Sequence, residues 1–289
     1  MDQRLIVVGR RSYLGGHFAK FAQARHPRTI SLSSEDCDFL DREQVVRFFR
    51  SIGPDRHTIV FFAVINKSVE NSFAAFTDNV AMVKNLIDGA ASANIESLVY
   101  FSSADVYGNR PRIPITEESK INPDTWYGLA KYCCERLLLF SDQVTYPVTV
   151  LRIPGVYGNA PHDKSVIGRM VSSVRNGKPV SVSGDGRALR DYVHIDDLCR
   201  ILEELIPLRH RGIVNIATGQ SRPILEMAQL VGTVLREKFS IERRAADAQR
   251  EFDLVFDTRT LRGLLPGFQF TSLEEGIHTY LGAQQSDDD

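Results

Sequence analysis

In "TWYGLAKYCCERLLLF", Tyr127 and Lys131 stand four residues apart at the start of an evident helix, so both side chains lie on one face a turn apart. A tyrosine hydroxyl titrates near 10, too high for proton transfer at neutral pH, but an ammonium group beside it favours the phenolate. Upstream, "SLVYFSSADVYG" places Ser102 and Ser103 at the C-terminal end of an apolar strand, where active sites of open α/β sheets gather. One of those hydroxyls can hydrogen-bond a substrate oxygen while Tyr127 exchanges its proton. A YxxxK spacing alone arises on many helices by chance. The chemistry therefore depends on elements that bring these four residues together.

Those elements are legible as an alternation. Short β-branched or aromatic runs ("RLIVVG", "RTISLS", "HTIVFFAV", "SLVYFSS") alternate with longer amphipathic stretches ("GGHFAKFAQARH", "DREQVVRFFRSIG", "FTDNVAMVKNLIDGAASAN"). The pattern predicts βαβ units, and the strands' unbroken apolar character predicts burial on both faces. The expected fold is α/β: a doubly wound parallel sheet of Rossmann type with a smaller C-terminal substrate-binding lobe. A dinucleotide-binding domain is expected over 1–160, with 192–218 returning to it, a substrate lobe over 161–191 and 219–283, and a disordered tail over 284–289. Val80, Val83, Leu86, Ile87 and Ala90 follow helical spacing and are either core or part of a two-helix dimer contact.

The first strand-to-helix turn, "GRRSYLG", lies where a doubly wound fold seats a pyrophosphate over free backbone N–H groups and a helix dipole. Gly9 and Gly15 fit that geometry. Ser12 replaces the middle glycine of a GxxGxxG reading, and its hydroxyl can donate to a phosphate oxygen. At the end of the second strand, Leu32, Ser33 and Ser34 stand where an NAD-preferring site carries an acid for the ribose hydroxyl, and Glu35 comes late. A missing acid together with Arg11 suits a 2′-phosphate, because guanidinium pairs with phosphate in a bidentate fork. NADP(H) is the preferred cofactor on this reading and NAD(H) the alternative. The plain alternative is that Arg10 and Arg11 are solvated loop charges. A positively charged nicotinamide would add to Lys131 in lowering the Tyr127 pKa.

Composition limits the rest. The chain has 289 residues, 25% of them charged and 43% hydrophobic, with a net charge of −1, so it offers no field for nucleic acid or anionic lipid. Cys37, Cys133, Cys134 and Cys199 lack metal-ligand spacing, and no metal is expected; the adjacent Cys133 and Cys134 point in different directions on a helix and read as packing. No apolar run approaches the roughly 18 to 20 residues that cross a bilayer, nothing at the N-terminus reads as a signal peptide, and a cytoplasmic location is expected. His194 beside Asp196 and Asp197 reads as a strand-to-helix turn with a capping carboxylate. Asn79 is either structural or directed at the site, and Trp126 packs at its mouth.

Over nearly its whole length the chain resembles the extended short-chain dehydrogenases/reductases of the nucleotide-sugar epimerase/dehydratase group. The resemblance rests on "GRRSYLG", "DFLD", "FFAV", "DNVAMVKNLI", "YFSSADVYG", "YGLAK", "LRIPGVYG", "GDGRALRDYVHIDD", "NIATG" and "FDLVFD". It implies catalytic roles for Ser103, Tyr127 and Lys131, with Ser102 beside the substrate. It implies cofactor contacts from Gly9, Arg11, Ser12, Tyr13, Leu14, Gly15, Ser33, Leu40, Asp41 (at adenine), Phe62, Ala63, Tyr127, Lys131 (on the nicotinamide ribose), Pro154 and Val156. Arg190 and Arg250 match positions that grip the diphosphate of a nucleotide-diphosphate sugar, and a homodimer through a helix pair is expected.

Departures from the family pattern choose among its reactions. Hexose dehydratases carry an acidic pair after the catalytic Ser/Thr; here those places are Ala104 and Asp105. "SSEDCDFLDREQVVRFF" resembles GDP-fucose synthase, where an arginine in the place of Arg11 serves NADPH; its epimerising cysteine and histidine correspond to Ala104 and to Ser165, with His162 close by. These features point to NADPH-dependent reduction of a nucleotide-linked 4-keto-6-deoxy sugar. An NAD-dependent 4-epimerase is the alternative, and a silent nucleotide-binding protein the remote one.

Overall fold

The computed structural model describes residues 4–158, 165–245 and 251–282. They group into two compact units, one running to Gly108 and including Ile121–Arg152 and Leu202–Val214, the other comprising Asn109–Lys120, Ile153–Ile201 and the chain from Asn215 onward.

The first unit is the expected doubly wound sheet. In chain order it runs β1 (Leu5–Val8), α1 (Tyr13–Arg25), β2 (Ile30–Leu32), α2 (Arg42–Ser51), β3 (His57–Phe61), α3 (Phe73–Ala90), β4 (Ile95–Ser103), α4 (Trp126–Phe140) and β5 (Val148–Ile153). These strands form a six-stranded parallel sheet ordered β2, β1, β3, β4, β5 and then the returning strand Gly212–Asn215. The register sets Ile6 against both Ile30 and Ile59. β1 and β3 are buried along their whole length, which is why their sequences do not alternate.

Side-chain oxygens start α2, α3 and α4. Asp41 accepts from the Glu43 and Gln44 amides, Ser72 from Ala75 and Thr125 from Gly128, each satisfying a first-turn N–H that the helix itself leaves unpaired. Val83, Leu86, Ile87 and Ala90 of α3 are at most 2% exposed and belong to the core, and Val80, partly buried, packs against it. α2 reaches α3 closely because Gly89 lacks a side chain: a Cβ there would stand 2.7 Å from Phe49.

The second unit has its own core, in which Ile167, Met170, Val171 and Val174 of the helix Val166–Arg175 meet Met227, Val231 and Val234 of the helix Ile224–Leu235, together with Ile277 and Tyr280. Its strands pair two by two: Val156–Tyr157 with Val193–His194, Val180–Ser183 with Ile241–Arg244, and Leu189–Arg190 with Arg222–Pro223. The observed boundaries differ from the sequence expectation at three places, one of them being the chain from Ile153, which groups with the second unit and not with the first. Residues 109–120 group with the second unit because the Ile115 backbone bonds Val255 and Asp257, at 2.7 and 2.9 Å. Within 192–218, only Leu202–Val214 groups with the first unit; Val193 is drawn to the second by its pairing with Val156. The expected tail, 284–289, lies outside the described residues. Among the described residues no helix is long and apolar enough to cross a membrane.

One buried ion pair ties the first unit together below the sheet's C-terminal edge. Glu135 on α4 accepts from Arg152 on β5 at 3.0 Å from Nε and 2.6 Å from Nη2, and Arg152 Nη1 donates to the Tyr107 hydroxyl at 3.1 Å. Arg152 is 2% exposed and Glu135 fully buried. Burial disfavours the Arg152 cation, and the Glu135 bonds and charge more than offset this, so its pKa lies above the ordinary value. Removing one partner leaves the other charge buried and alone. Arg152→Met is therefore expected to lower unfolding free energy by about 3–5 kcal/mol in urea titration, whereas Glu135→Gln with Arg152→Met recovers much of the loss; an unchanged midpoint in the single variant would contradict the pair's structural role.

Candidate active site

Tyr127, Lys131 and Ser103 converge at the C-terminal end of β4. Thr125 caps α4, so Tyr127 falls in its first turn and Lys131 one turn on. Gly128 permits the approach: a Cβ there would stand 2.7 Å from the Asp105 carbonyl oxygen, so only glycine lets α4 abut the turn Ala104–Tyr107 that follows β4. Across this junction Ser103 lies beside the Tyr127 phenol, and its Oγ accepts from the Asp105 amide at 3.1 Å. Lys131, 4% exposed, donates to the Phe101 carbonyl at 2.5 Å, with its Nζ 5.8 Å from the centre of the Tyr127 ring.

Ser102 and Ser103 separate in role. Successive strand residues face opposite sides, and Ser102 points into the core, where its hydroxyl donates to buried Glu135. Its expected place beside the substrate is therefore replaced by a place in the buried ion network. Ser103 alone of the two faces Tyr127.

The electrostatics differ from the sequence expectation. Burial first, then the negative charge of Asp105, raises the Tyr127 pKa above its ordinary value, and the Ser103 hydroxyl opposes them. Burial pulls Lys131 down to about 8, against the upward pull of Cys134 and Glu135. Lys131 still carries its charge at neutral pH, yet the net effect of the surroundings leaves the Tyr127 pKa above its ordinary value. Asp105 is ion-paired with Lys67, which lies on the loop after β3.

The turn after β1 is built as a tight crossing. Gly9 has φ +99°, a conformation open chiefly to glycine, and a Cβ there would stand 2.8 Å from the Ala63 nitrogen; a Cβ on Gly15 would overlap the Gly9 carbonyl oxygen. Ser12 uses its hydroxyl within the turn, donating to the Gly9 carbonyl at 2.8 Å and accepting from the Gly15 amide at 3.0 Å. Ser12 is thus the cap of α1. Tyr13 and Leu14 open α1 beside it. Ala63 lies against Gly9, whereas the Phe62 ring is buried between Phe18 and Phe101, with centroids at 5.7 and 4.0 Å.

Beyond β2 the structure supplies the acids that the sequence reading found missing. Asp36 folds back on Ser33, accepting from its amide at 2.7 Å and its hydroxyl at 2.6 Å, and pairs with Arg10 at 3.0 Å; the Ser33 bonds hold its pKa below the usual range. Arg11 pairs with Glu35, both side chains being well exposed. Asp41, expected at adenine, spends its carboxylate on the α2 cap and on Gln44. Leu40 beside it is 43% exposed.

The remaining candidates are placed as follows. Asn79 lies within α3 rather than at its head and binds both backbone groups of Ile65, at 2.7 and 3.0 Å, so it anchors the loop after β3. Trp126 packs on Phe73 and Phe76 at 5.4 and 5.8 Å. Cys134 is buried and donates to the Asn79 carbonyl. In the second unit, Arg190 donates to the Leu189 carbonyl at 2.8 Å and to that of Phe252; Pro154 and Val156 are half-buried; Ser165 caps the helix Val166–Arg175. His194 is buried, its Nδ1 accepting from the Asp196 amide at 3.3 Å, and Asp197 binds Thr271. Arg250 and His162 lie outside the described residues. Sequence reasoning did not find Glu135, Arg152, Asp36 and Lys67; a buried Glu and Arg in otherwise apolar segments was the one available sign.

Residues 5–217 match the family model described as "NAD dependent epimerase/dehydratase family". The chain belongs to that family. It is accordingly an enzyme of the extended short-chain dehydrogenase/reductase type, a family of NAD-dependent oxidoreductases, epimerases and dehydratases. A dTDP-4-dehydro-6-deoxy-D-allose reductase from a Streptomyces species is 25% identical over 80% of this chain and 81% of its own. A UDP-glucose 4-epimerase from Haemophilus influenzae is 29% identical over 73% of this chain and 70% of its own. The fold is that of a dTDP-glucose 4,6-dehydratase from Streptomyces venezuelae solved with NAD bound, at TM-score 0.84 and 21% identity over 98% of each chain.

The residues present fit a dinucleotide: the glycine crossing leaves room for close approach by a ligand backbone where a Cβ would not fit, and it opens directly onto the N-terminus of α1. Gly15→Ala is expected to weaken NAD binding at least about tenfold in calorimetric titration, with a modest fall in Tm from the same overlap. An unaltered Kd would show that the turn does not seat the dinucleotide.

Proposed function

We propose that this enzyme reduces the C4 keto group of a nucleotide-linked 4-keto-6-deoxy sugar with NADPH. The observation that carries the reading is the composition of the junction between β4 and α4: the Tyr127 phenol beside Ser103, with the methyl group of Ala104 next in sequence and the Asp105 carboxylate tied to Lys67. Reduction of a ketone needs a single proton donor. Elimination of water needs a second acid or base, and the first acidic place of the dehydratase pattern is here alanine.

Tyr127 donates its proton to the carbonyl oxygen as that oxygen gains negative charge, and Ser103 holds the oxygen by a hydrogen bond. Burial and Asp105 keep the phenol protonated, which is the state a donor to a ketone requires. Lys131, charged at neutral pH, stabilises the phenolate left behind. A bound nicotinamide dinucleotide supplies the hydride. The 25% identical dTDP-4-dehydro-6-deoxy-D-allose reductase is a relative of the same reaction class. In the proposal Arg190 and Arg250 hold the substrate diphosphate.

Arg11 supports NADPH. Among the described residues Arg11 pairs with Glu35 in an exposed contact, a weak one that a phosphate dianion can displace. A second reading, a 4-epimerase that retains NAD, is favoured by Asp36 and Glu35 at the end of β2, since carboxylates there suit the free ribose hydroxyls of NAD. The two are separated by incubating the protein with NADPH and a panel of dTDP-, GDP-, UDP- and CDP-linked 4-keto-6-deoxy sugars. Stoichiometric loss of NADPH absorbance supports reduction; isomerisation of a nucleotide hexose with no added cofactor supports the epimerase. In the reductase, Arg11→Ala is expected to lower the NADPH-over-NADH preference by about one to two orders of magnitude in kcat/KM. Unaltered preference would return Arg11 to the role of a solvated charge.

A further inference from the structure

The Lys67–Asp105 pair has no structural task that matches its position. Lys67 is 47% and Asp105 27% exposed, and exposed ion pairs contribute little to stability. Both charges nevertheless sit beside the one phenol of the site. Lys67 Nζ is 5.8 Å from the centre of the Tyr127 ring, as far as Lys131 Nζ is.

The loop that carries Lys67 is held in place at three points. Asn79 clamps both backbone groups of Ile65 at its start. The Asn66 side chain accepts from the Ser68 amide at 2.9 Å, and Asn71 Oδ1 accepts from the Tyr127 amide itself at 3.1 Å. The loop is thereby fastened to the first turn of α4, and Lys67 is delivered to the acid that follows the catalytic strand.

We propose that Lys67 and Asp105 jointly set how readily Tyr127 gives up its proton, Asp105 holding the proton on and Lys67 easing it off. They are positioning residues: neither is asked to touch the reacting atoms. The inference rests on Tyr127 being the proton-transfer group of the proposed function. Among the described residues the charged and titratable groups facing Tyr127 are Lys131 on its own helix, Asp105 on the turn after β4, Tyr100 on β4 and Lys67 on the loop after β3, with the Ser103 hydroxyl beside it. Asp105 acts on the phenol in the unfavourable direction for ionisation. Lys67 is the cation placed to cancel that effect.

The sign of each substitution follows. Lys67→Met leaves Asp105 uncompensated, so the Tyr127 midpoint rises, by about one unit for a unit charge at this distance in a partly solvated site. Asp105→Asn removes the opposing charge, so the midpoint falls by about one unit. Lys67→Arg keeps the charge and leaves the midpoint in place.

The test is an alkaline titration of the full-length protein in complex with NAD⁺, followed by ultraviolet tyrosinate absorbance. The wild type and each variant are differenced against the same chain carrying Tyr127→Phe, which isolates the one ring. Opposite shifts in Lys67→Met and Asp105→Asn, with rescue by Lys67→Arg, support the proposal; one midpoint common to all four proteins overturns it. The pH dependence of kcat with the 4-keto sugar panel separates this outcome from that of the proposed function. Shifted midpoints without turnover of any 4-keto sugar would leave the charge setting intact and remove the reductase reading. Turnover with unshifted midpoints would do the reverse.

Discussion

The first unit depends on a charge that has no water. Arg152 and Glu135 are buried on adjacent elements, and each would be costly alone. Together, with the hydroxyls of Tyr107 and Ser102, they satisfy one another's hydrogen-bonding groups and join β5, α4, β4 and the turn after β4 at a single point. The consequence for chemistry is positional. Glu135 lies one helical turn beyond Lys131, and Lys131 one turn beyond Tyr127, so fixing Glu135 against β5 fixes the rotation of α4 about its axis and the direction in which the other two side chains project. The same network takes up the Ser102 hydroxyl and leaves Ser103 to face the phenol.

The second constraint is steric. At the turn after β1, Gly9 and Gly15 cross at a separation that admits no Cβ, and at the junction of α4 with β4 Gly128 does the same against Asp105. Missing side chains thus fix both the turn after β1 and the junction that carries Tyr127 within the first unit. Charged groups then adjust what the backbone has placed. Asp36 and Glu35 engage Arg10 and Arg11 at the end of β2, and Asp105 engages Lys67 beside Tyr127. In both places a carboxylate is paired with a basic residue.

Much of this was legible in the sequence, and what was not has a common cause. The alternation of apolar runs with amphipathic stretches predicted the parallel sheet, and the spacing of Tyr127 and Lys131 predicted their shared helix face, because both patterns are local and periodic. The turn of Ser102 into the core was not legible, since it depends on Glu135, 33 residues away along the chain. Asp36 escaped notice because the acid reaches Ser33 by folding back from three residues further on. Asp41 and Ser12 were read as ligand contacts, yet each is a helix cap, a local role open to the same residue types. The membership of 109–120 in the second unit rests on a two-bond pairing of Ile115 with Val255 and Asp257, which no periodicity announces.

The central claim is that Tyr127 and its neighbours complete a net hydride reduction at C4. The most direct measurement is isotopic: the protein is given NADPH deuterated at the reactive C4 position and a nucleotide-linked 4-keto-6-deoxy sugar, and the product is analysed by mass and NMR. The account predicts one deuterium at C4 of a hydroxylated sugar for each NADPH consumed, and loss of that transfer in Tyr127→Phe. Conversion of a nucleotide sugar to its C4 epimer with no deuterium incorporated and no NADPH oxidised would contradict it.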